Sequence, residues 1–139
     1  MLTRRGDGTV DLLSPLPGFP NGLIFHPNGD LLVNLTRRGE VIRFRLRNGR
    51  IAATELFCSF PEGFAPDGMC WMDDRLVVAG SASDLIAVVG LGGRPHGMLS
   101  TGRHTDPTNL CVSEDRLLIT LGYARQLVSL PITQLLGTL

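Results

Sequence analysis

The sequence predicts an all-β chain that forms about three four-stranded blades of a β-propeller. A proline-led motif occurs three times, and each copy is followed by short apolar segments that turn residues separate. The copies are Pro20-Asn21-Gly22-Leu23, Pro66-Asp67-Gly68-Met69 and Pro107-Thr108-Asn109-Leu110. Their prolines are 46 and 41 residues apart, a spacing in the range of one propeller blade.

Each motif opens a predicted first strand, and a polar turn connects that strand to a second one. Asn28-Gly29 is a strong hairpin signal between Leu23–Phe25 and Leu31–Val33, because asparagine and glycine tolerate the positive φ of tight turns. Asp73-Asp74 and Glu114-Asp115 occupy the equivalent turns of the later copies. The repeat therefore begins with the same hairpin three times.

Further strands complete the predicted blades. Third strands are expected at Val41–Leu46, Leu85–Val89 and Leu127–Leu130, and outer strands at Ile51–Phe57 and Gly97–Ser100. A helical pattern occurs only near the end of the sequence, at Thr133–Leu136.

The two ends of the sequence predict incomplete blades. Val10–Leu13 has the pattern of the outer strand of an earlier blade, and no fourth strand is evident after Leu130. The prediction is a single partial propeller domain, with an incomplete blade at 1–19, blades at 20–65 and 66–106, and an incomplete blade at 107–139.

The composition argues against nucleic-acid and membrane partners. Thirteen basic and thirteen acidic residues cancel among 139, so the basic surface typical of nucleic-acid binding is not expected. No apolar segment approaches the roughly 20 residues that span a bilayer, and the first residues lack the apolar core of a secretory signal. We therefore expect a cytoplasmic protein that binds neither nucleic acid nor membrane.

The three motifs, in this order and at these separations, resemble the senescence marker protein, gluconolactonase and regucalcin family. The resemblance extends over nearly the whole chain and matches the C-terminal half of that family's six-bladed propeller. It implies a calcium-dependent or other divalent-metal-dependent hydrolase that opens lactone rings, with one metal ion on the propeller axis.

The resemblance assigns roles to individual residues. Asn21 matches a metal-ligating asparagine, and Asp67 matches a metal-ligating aspartate that is also the candidate general base or nucleophile. An amide and a carboxylate oxygen suit calcium, a hard cation that takes six to eight oxygen ligands. Thr108 and Asn109 are candidate groups lining the substrate channel. The family's other ligands lie in its N-terminal half, so the site predicted here is incomplete and would hold its metal weakly.

Three interpretations stay open from the sequence. The chain is the C-terminal portion of a lactonase, a non-catalytic propeller fragment, or a repeat scaffold for protein partners. The expected partners are a lactone substrate and either a second copy of the chain or the missing N-terminal half, since exposed edge strands favour pairing with another chain.

Overall fold

The computed structural model describes residues 2–4 and 6–139, so Met1 and Arg5 of the predicted incomplete first blade lie outside the described residues. The strands are β1 (Leu2–Arg4), β2 (Val10–Leu12), β3 (Pro20–Phe25), β4 (Leu31–Leu35), β5 (Glu40–Arg47), β6 (Arg50–Ser59), β7 (Ala65–Met72), β8 (Arg75–Ser81), β9 (Leu85–Gly90), β10 (Pro95–Ser100), β11 (Pro107–Ser113), β12 (Arg116–Leu121) and β13 (Gln126–Pro131). A 3-10 turn at Thr36–Arg38 follows β4, and one α-helix, α1 (Ile132–Thr138), follows β13.

The strands form three antiparallel sheets that succeed one another along the chain. The first sheet has the order β3-β4-β5-β6, the second β7-β8-β9-β10, and the third β11-β12-β13, while β1 and β2 form a separate hairpin. Every strand pairs with its neighbour in sequence, which is the meander of a propeller blade. The predicted all-β fold and partial propeller are confirmed.

The repeated turns use residues that accept a left-handed backbone. Gly29 has a φ of 92°, and the equivalent turns place Asp73 at 53° and Glu114 at 54°. The Gly29 N–H donates to the His26 carbonyl, which closes the first of these turns. Each first strand is thus folded back on the second by local turn chemistry alone.

Two hydrophobic cores join the three sheets face to face. The core between the first and second sheets includes Leu32, Val41, Met69 and Val78. The core between the second and third includes Val77, Ile86, Leu110 and Leu117, with Leu135 of α1 buried against it. The second sheet therefore packs through both of its faces, one against each neighbouring sheet.

The N-terminal segment covers part of the outer face of the first sheet. Leu31, Val33 and Phe44 form a third buried cluster on this face, and Leu16 packs against it. In the described residues, no helix has the length and apolar character needed to cross a membrane.

Candidate functional site

The three motifs lie where the first strands of the sheets begin, and each interrupts the regular strand pairing. Register shifts occur between Pro20 and Leu23, between Pro66 and Met69, and between Pro107 and Asn109. A bulge removes residues from the ladder and redirects their side chains. The polar residues of the motifs, Asn21, Asp67 and Thr108, sit inside these irregular segments.

The motif glycines allow the first strands of neighbouring sheets to approach one another closely. A Cβ on Gly22 would overlap the carbonyl oxygen of Asp67 and would lie 2.7 Å from the Asn34 side-chain nitrogen. A Cβ on Gly68 would overlap Asn109 in the same way. The close approach of backbone to backbone therefore explains why glycine follows the polar residue in the first two motifs.

Asn34, a buried asparagine in β4, joins the first two motifs. Asn34 is fully buried in an otherwise apolar strand. Its Oδ1 accepts the Gly22 N–H at 3.1 Å, and its Nδ2 donates to the Asp67 carbonyl oxygen. The Thr36 hydroxyl adds a second crossing bond to the Pro66 carbonyl at 2.8 Å. Sequence reasoning missed this role, although a lone asparagine within Leu31–Leu35 is an available signal.

Asn21 and Asp67, the two predicted metal ligands, are brought together. Burial raises the pKa of Asp67, a hydrogen bond from the Asn21 side chain lowers it, and the negative charge of Asp106 raises it again, the net direction being upward. Asn21 itself is exposed and Asp67 is half-buried. The corner formed by these residues, which we call the motif corner, is thus open to solvent and holds a carboxylate partly removed from water.

Asp106 is a second carboxylate near the motif corner that the sequence did not single out. Its Oδ1 accepts hydrogen bonds from the Ser81 hydroxyl at 2.9 Å and from the Ala82 N–H at 2.7 Å. Asp106 directly precedes the third motif and has a φ of 55°. Its position depends on a loop crossing from the second sheet to the third, which no local sequence pattern predicts.

Asp84 holds the loop that carries Asp106. Its carboxylate accepts the backbone N–H groups of His104, Thr105 and Asp106 at 2.8, 2.8 and 3.1 Å. These hydrogen bonds lower the pKa of Asp84 from its ordinary value. Asp84 therefore positions the second carboxylate through the backbone.

The predicted channel residues Thr108 and Asn109 have different surroundings. The Thr108 hydroxyl lies 2.9 Å from the Thr120 hydroxyl within the third sheet, and the Asn109 N–H donates to the same Thr120 oxygen at 3.0 Å. The Asn109 side-chain oxygen reaches Gly68, next to Asp67. Asn109 therefore borders the motif corner, whereas Thr108 hydrogen-bonds inside its own sheet.

The side chains at the motif corner carry the oxygen atoms that a hard cation binds, but too few of them to complete its coordination. Asn21, Asp67 and Asp106 offer oxygen atoms, which calcium and magnesium prefer. Asp106 already uses one oxygen in two hydrogen bonds. Within residues 2–4 and 6–139, no group of three or more histidine, cysteine, aspartate or glutamate side chains could hold a metal ion. The corner is a partial oxygen site at most.

Solved structures with this arrangement of sheets include lactonase-type propellers. A gluconolactonase from Xanthomonas campestris is 28% identical with a TM-score of 0.76, over 91% of this chain and 42% of that chain. The predicted resemblance to the gluconolactonase and regucalcin family is confirmed. Regucalcin from Agrobacterium tumefaciens, a calcium-binding protein, is 20% identical with a TM-score of 0.67, over 81% of this chain and 41% of that chain.

The chain spans less than half the length of these gluconolactonase-type structures. A computationally designed protein, Ika4, shares the fold at a TM-score of 0.60 and 17% identity, over 94% of this chain and 83% of that chain. A protein little longer than this chain can therefore adopt such an arrangement of sheets. No family model and no curated protein sequence matches the chain.

Proposed function

We propose that the chain is the C-terminal part of a lactonase-like hydrolase whose reaction is the opening of a sugar lactone ring. The observation that carries this proposal is the meeting of the first two motifs, in which Asn34 bridges the Gly22 N–H to the Asp67 carbonyl and the Asn21 side chain lies close enough to Asp67 to affect its pKa. It occurs in a fold that a gluconolactonase shares at 28% identity. Asn21 and Asp67 are the two residues to which the family resemblance assigns metal binding.

The chemistry proposed for Asp67 is proton transfer. Water attacks the lactone carbonyl carbon while the Asp67 carboxylate accepts a proton from that water. The ring C–O bond then breaks, and the proton passes to the departing alkoxide oxygen, which yields a hydroxy acid. The side-chain amide of Asn21, which lowers the pKa of Asp67, would help to orient this carboxylate.

A divalent cation, calcium in the first instance, would be held by oxygen atoms of Asn21 and Asp67. When bound, such a cation polarises the carbonyl of an ester or lactone. With so few protein ligands, we expect an ion that is largely hydrated and weakly held, with a dissociation constant on the order of a millimolar.

The test is hydrolysis of glucono-δ-lactone above its spontaneous rate, with calcium and with a chelator. Asp67→Asn removes the proton acceptor and is expected to lower the catalysed rate about 100-fold or more. Asp73→Asn is the matched control, because Asp73 is an exposed carboxylate in a turn. Catalysis that is independent of metal and equal in both variants would overturn the assignment.

A non-catalytic scaffold is the second candidate. It is favoured because, within the described part of the chain, no group of three or more histidine, cysteine, aspartate or glutamate side chains could hold a metal ion. Calcium titration separates the two candidates, since a folded sample that binds no calcium at millimolar concentration supports the scaffold.

A further inference from the structure

A cavity with cationic walls lies between the second sheet and the C-terminal helix. Its volume is about 360 Å³, and it is lined by Arg75, Arg94, Pro95, His96, Leu136 and Leu139. The β7–β8 hairpin pairs Pro66 with Gly80 at one end and Met72 with Arg75 at the other. The length of β8 from Arg75 to Gly80 is about 17 Å at the rise of a strand. The cavity is therefore at the opposite end of the sheet from the motif corner.

The charge of Arg75 is not compensated inside the chain. Its Nε is buried and has no hydrogen-bond partner among the residues that the structure describes. Within residues 2–4 and 6–139, no carboxylate forms an ion pair with Arg75, Arg94 or His96. Arg43 also has a buried Nε without a hydrogen bond, but there the Asp30 carboxylate lies 3.7 Å away. A buried, charged donor without a partner costs free energy, so the Arg75 guanidinium points to an anion as its ligand.

The strand register brings the other two cationic side chains to Arg75. Arg75 pairs with Gly90 across β8 and β9, so the two residues face the same side of the sheet. A Cβ on Gly90 would lie 2.8 Å from His96 Nε2, so the imidazole ring packs over this glycine, beside Arg75. His96 reaches this position at a bulge, where the register of β10 with β9 shifts after Pro95. The Arg94 carbonyl accepts the Gly90 N–H at 2.9 Å, which closes the turn that carries Arg94.

We propose that this cavity binds a phosphate group. Its donors come from β8, from the β9–β10 turn and from β10. The planar fork of an arginine matches the oxygens of a phosphate, and such charge-assisted hydrogen bonds are stronger than neutral ones. Because three groups donate from three positions, a tetrahedral anion with at least three free oxygens satisfies them better than a planar carboxylate.

The apolar wall of the cavity strengthens the site and extends it. Leu136 and Leu139 line the side opposite the sheet, where they exclude water and increase the attraction between the cations and an anion. They also offer a surface for the organic part of a phosphate ester. The shared chemistry of the ligand is therefore a phosphate group, either free or as a monoester. The site does not depend on the proposed lactonase activity.

The test is calorimetric titration of the full chain with sodium phosphate at low ionic strength. The wild-type chain is expected to bind one phosphate with a saturable curve. Arg75→Gln should weaken binding at least about tenfold, the effect of losing one charge-assisted hydrogen bond. Arg75→Lys keeps the charge without the planar fork and should recover only part of the affinity. Arg47→Gln is the matched control, because Arg47 is exposed at the end of β5 and loses the same charge.

Phenyl phosphate distinguishes an ester from the free anion. The apolar wall predicts tighter binding of phenyl phosphate than of inorganic phosphate, and Leu139→Ala should remove this difference without changing the affinity for inorganic phosphate. Equal affinities in the wild-type chain would identify free phosphate as the ligand. Acetate should not displace phosphate at equal concentration, and displacement would overturn the assignment to a phosphate group.

The Arg75 Nε–H resonance provides a local measure by nuclear magnetic resonance. It should shift on addition of phosphate, with a midpoint that matches the calorimetric curve. Circular dichroism verifies that the variants are folded. Equal affinities of Arg75→Gln and Arg47→Gln, or an Arg75 resonance that does not move, would overturn the proposal. Phosphate binding without lactone hydrolysis would support this site and refute only the proposed function.

Discussion

Gly22→Ala tests the close approach of the first two motifs. The added methyl group would overlap the Asp67 carbonyl oxygen and approach the Asn34 side-chain nitrogen to 2.7 Å. Gly22 does not have a positive φ, so the effect comes from packing and not from backbone strain. Either β7 moves away from β3 or the bulge at Gly22 changes shape.

The expected loss follows from two terms. Overpacking a well-packed site costs about 1–3 kcal/mol. Displacement of the Asp67 carbonyl also breaks its hydrogen bond with buried Asn34, which costs about 1–2 kcal/mol when a buried group is left without a partner. We therefore expect the free energy of unfolding to fall by about 2–5 kcal/mol, a large part of the roughly 5–15 kcal/mol typical of a domain.

Urea unfolding followed by circular dichroism measures this loss. Gly92→Ala is the matched control, because nothing lies within 4 Å of a Cβ at Gly92 and its φ is not positive. The control should stay within about 0.5 kcal/mol of the wild type. Equal stability of Gly22→Ala and Gly92→Ala would refute the close approach of the strands.

Three further predictions concern stability and thiol reactivity. Three backbone N–H groups lower the folded-state pKa of Asp84, so its carboxylate stabilises the folded chain at pH values above the unfolded-state pKa. This stabilisation is lost as the pH falls through the folded-state pKa. Asp84→Asn should therefore reduce the acid dependence of unfolding in urea, and an unchanged pH profile would contradict this. Trp71→Phe removes the indole N–H bond to the Phe25 carbonyl at 2.7 Å and should cost about 0.5–1.5 kcal/mol in the same assay, so an unchanged midpoint would contradict that bond. Burial raises the pKa values of Cys58 and Cys70 to about 12, so both thiols should resist disulfide reagents until the chain unfolds, and rapid labelling of folded protein would show that the sheets open.

Local sequence was sufficient for the strands because their turns are chemically explicit. Asn28-Gly29, Asp73-Asp74 and Glu114-Asp115 each reverse the chain where predicted. Since each strand pairs with its sequence neighbour, the meander needs no long-range information.

The cysteines show the limit of a pattern based on repeats. Cys70 and Cys111 occupy equivalent positions of the repeat, where a free cysteine usually packs as a small buried hydrophobe. Cys70 is mostly covered by the third sheet, but Cys111 is exposed. Strand position sets the face that a side chain occupies, whereas burial depends on whether another sheet covers that face.

The sequence by itself determined the three copies of the repeat, the strands and the position of each motif at the start of a first strand, because these follow from turn chemistry, alternation and motif order. Only the tertiary structure decided how the motifs meet. Asn34 bridges Gly22 to Asp67, and Asp106 reaches the corner from a loop that Asp84 holds. Those contacts join residues of different sheets, and the distance between sheets is set by packing of their faces and not by any local pattern.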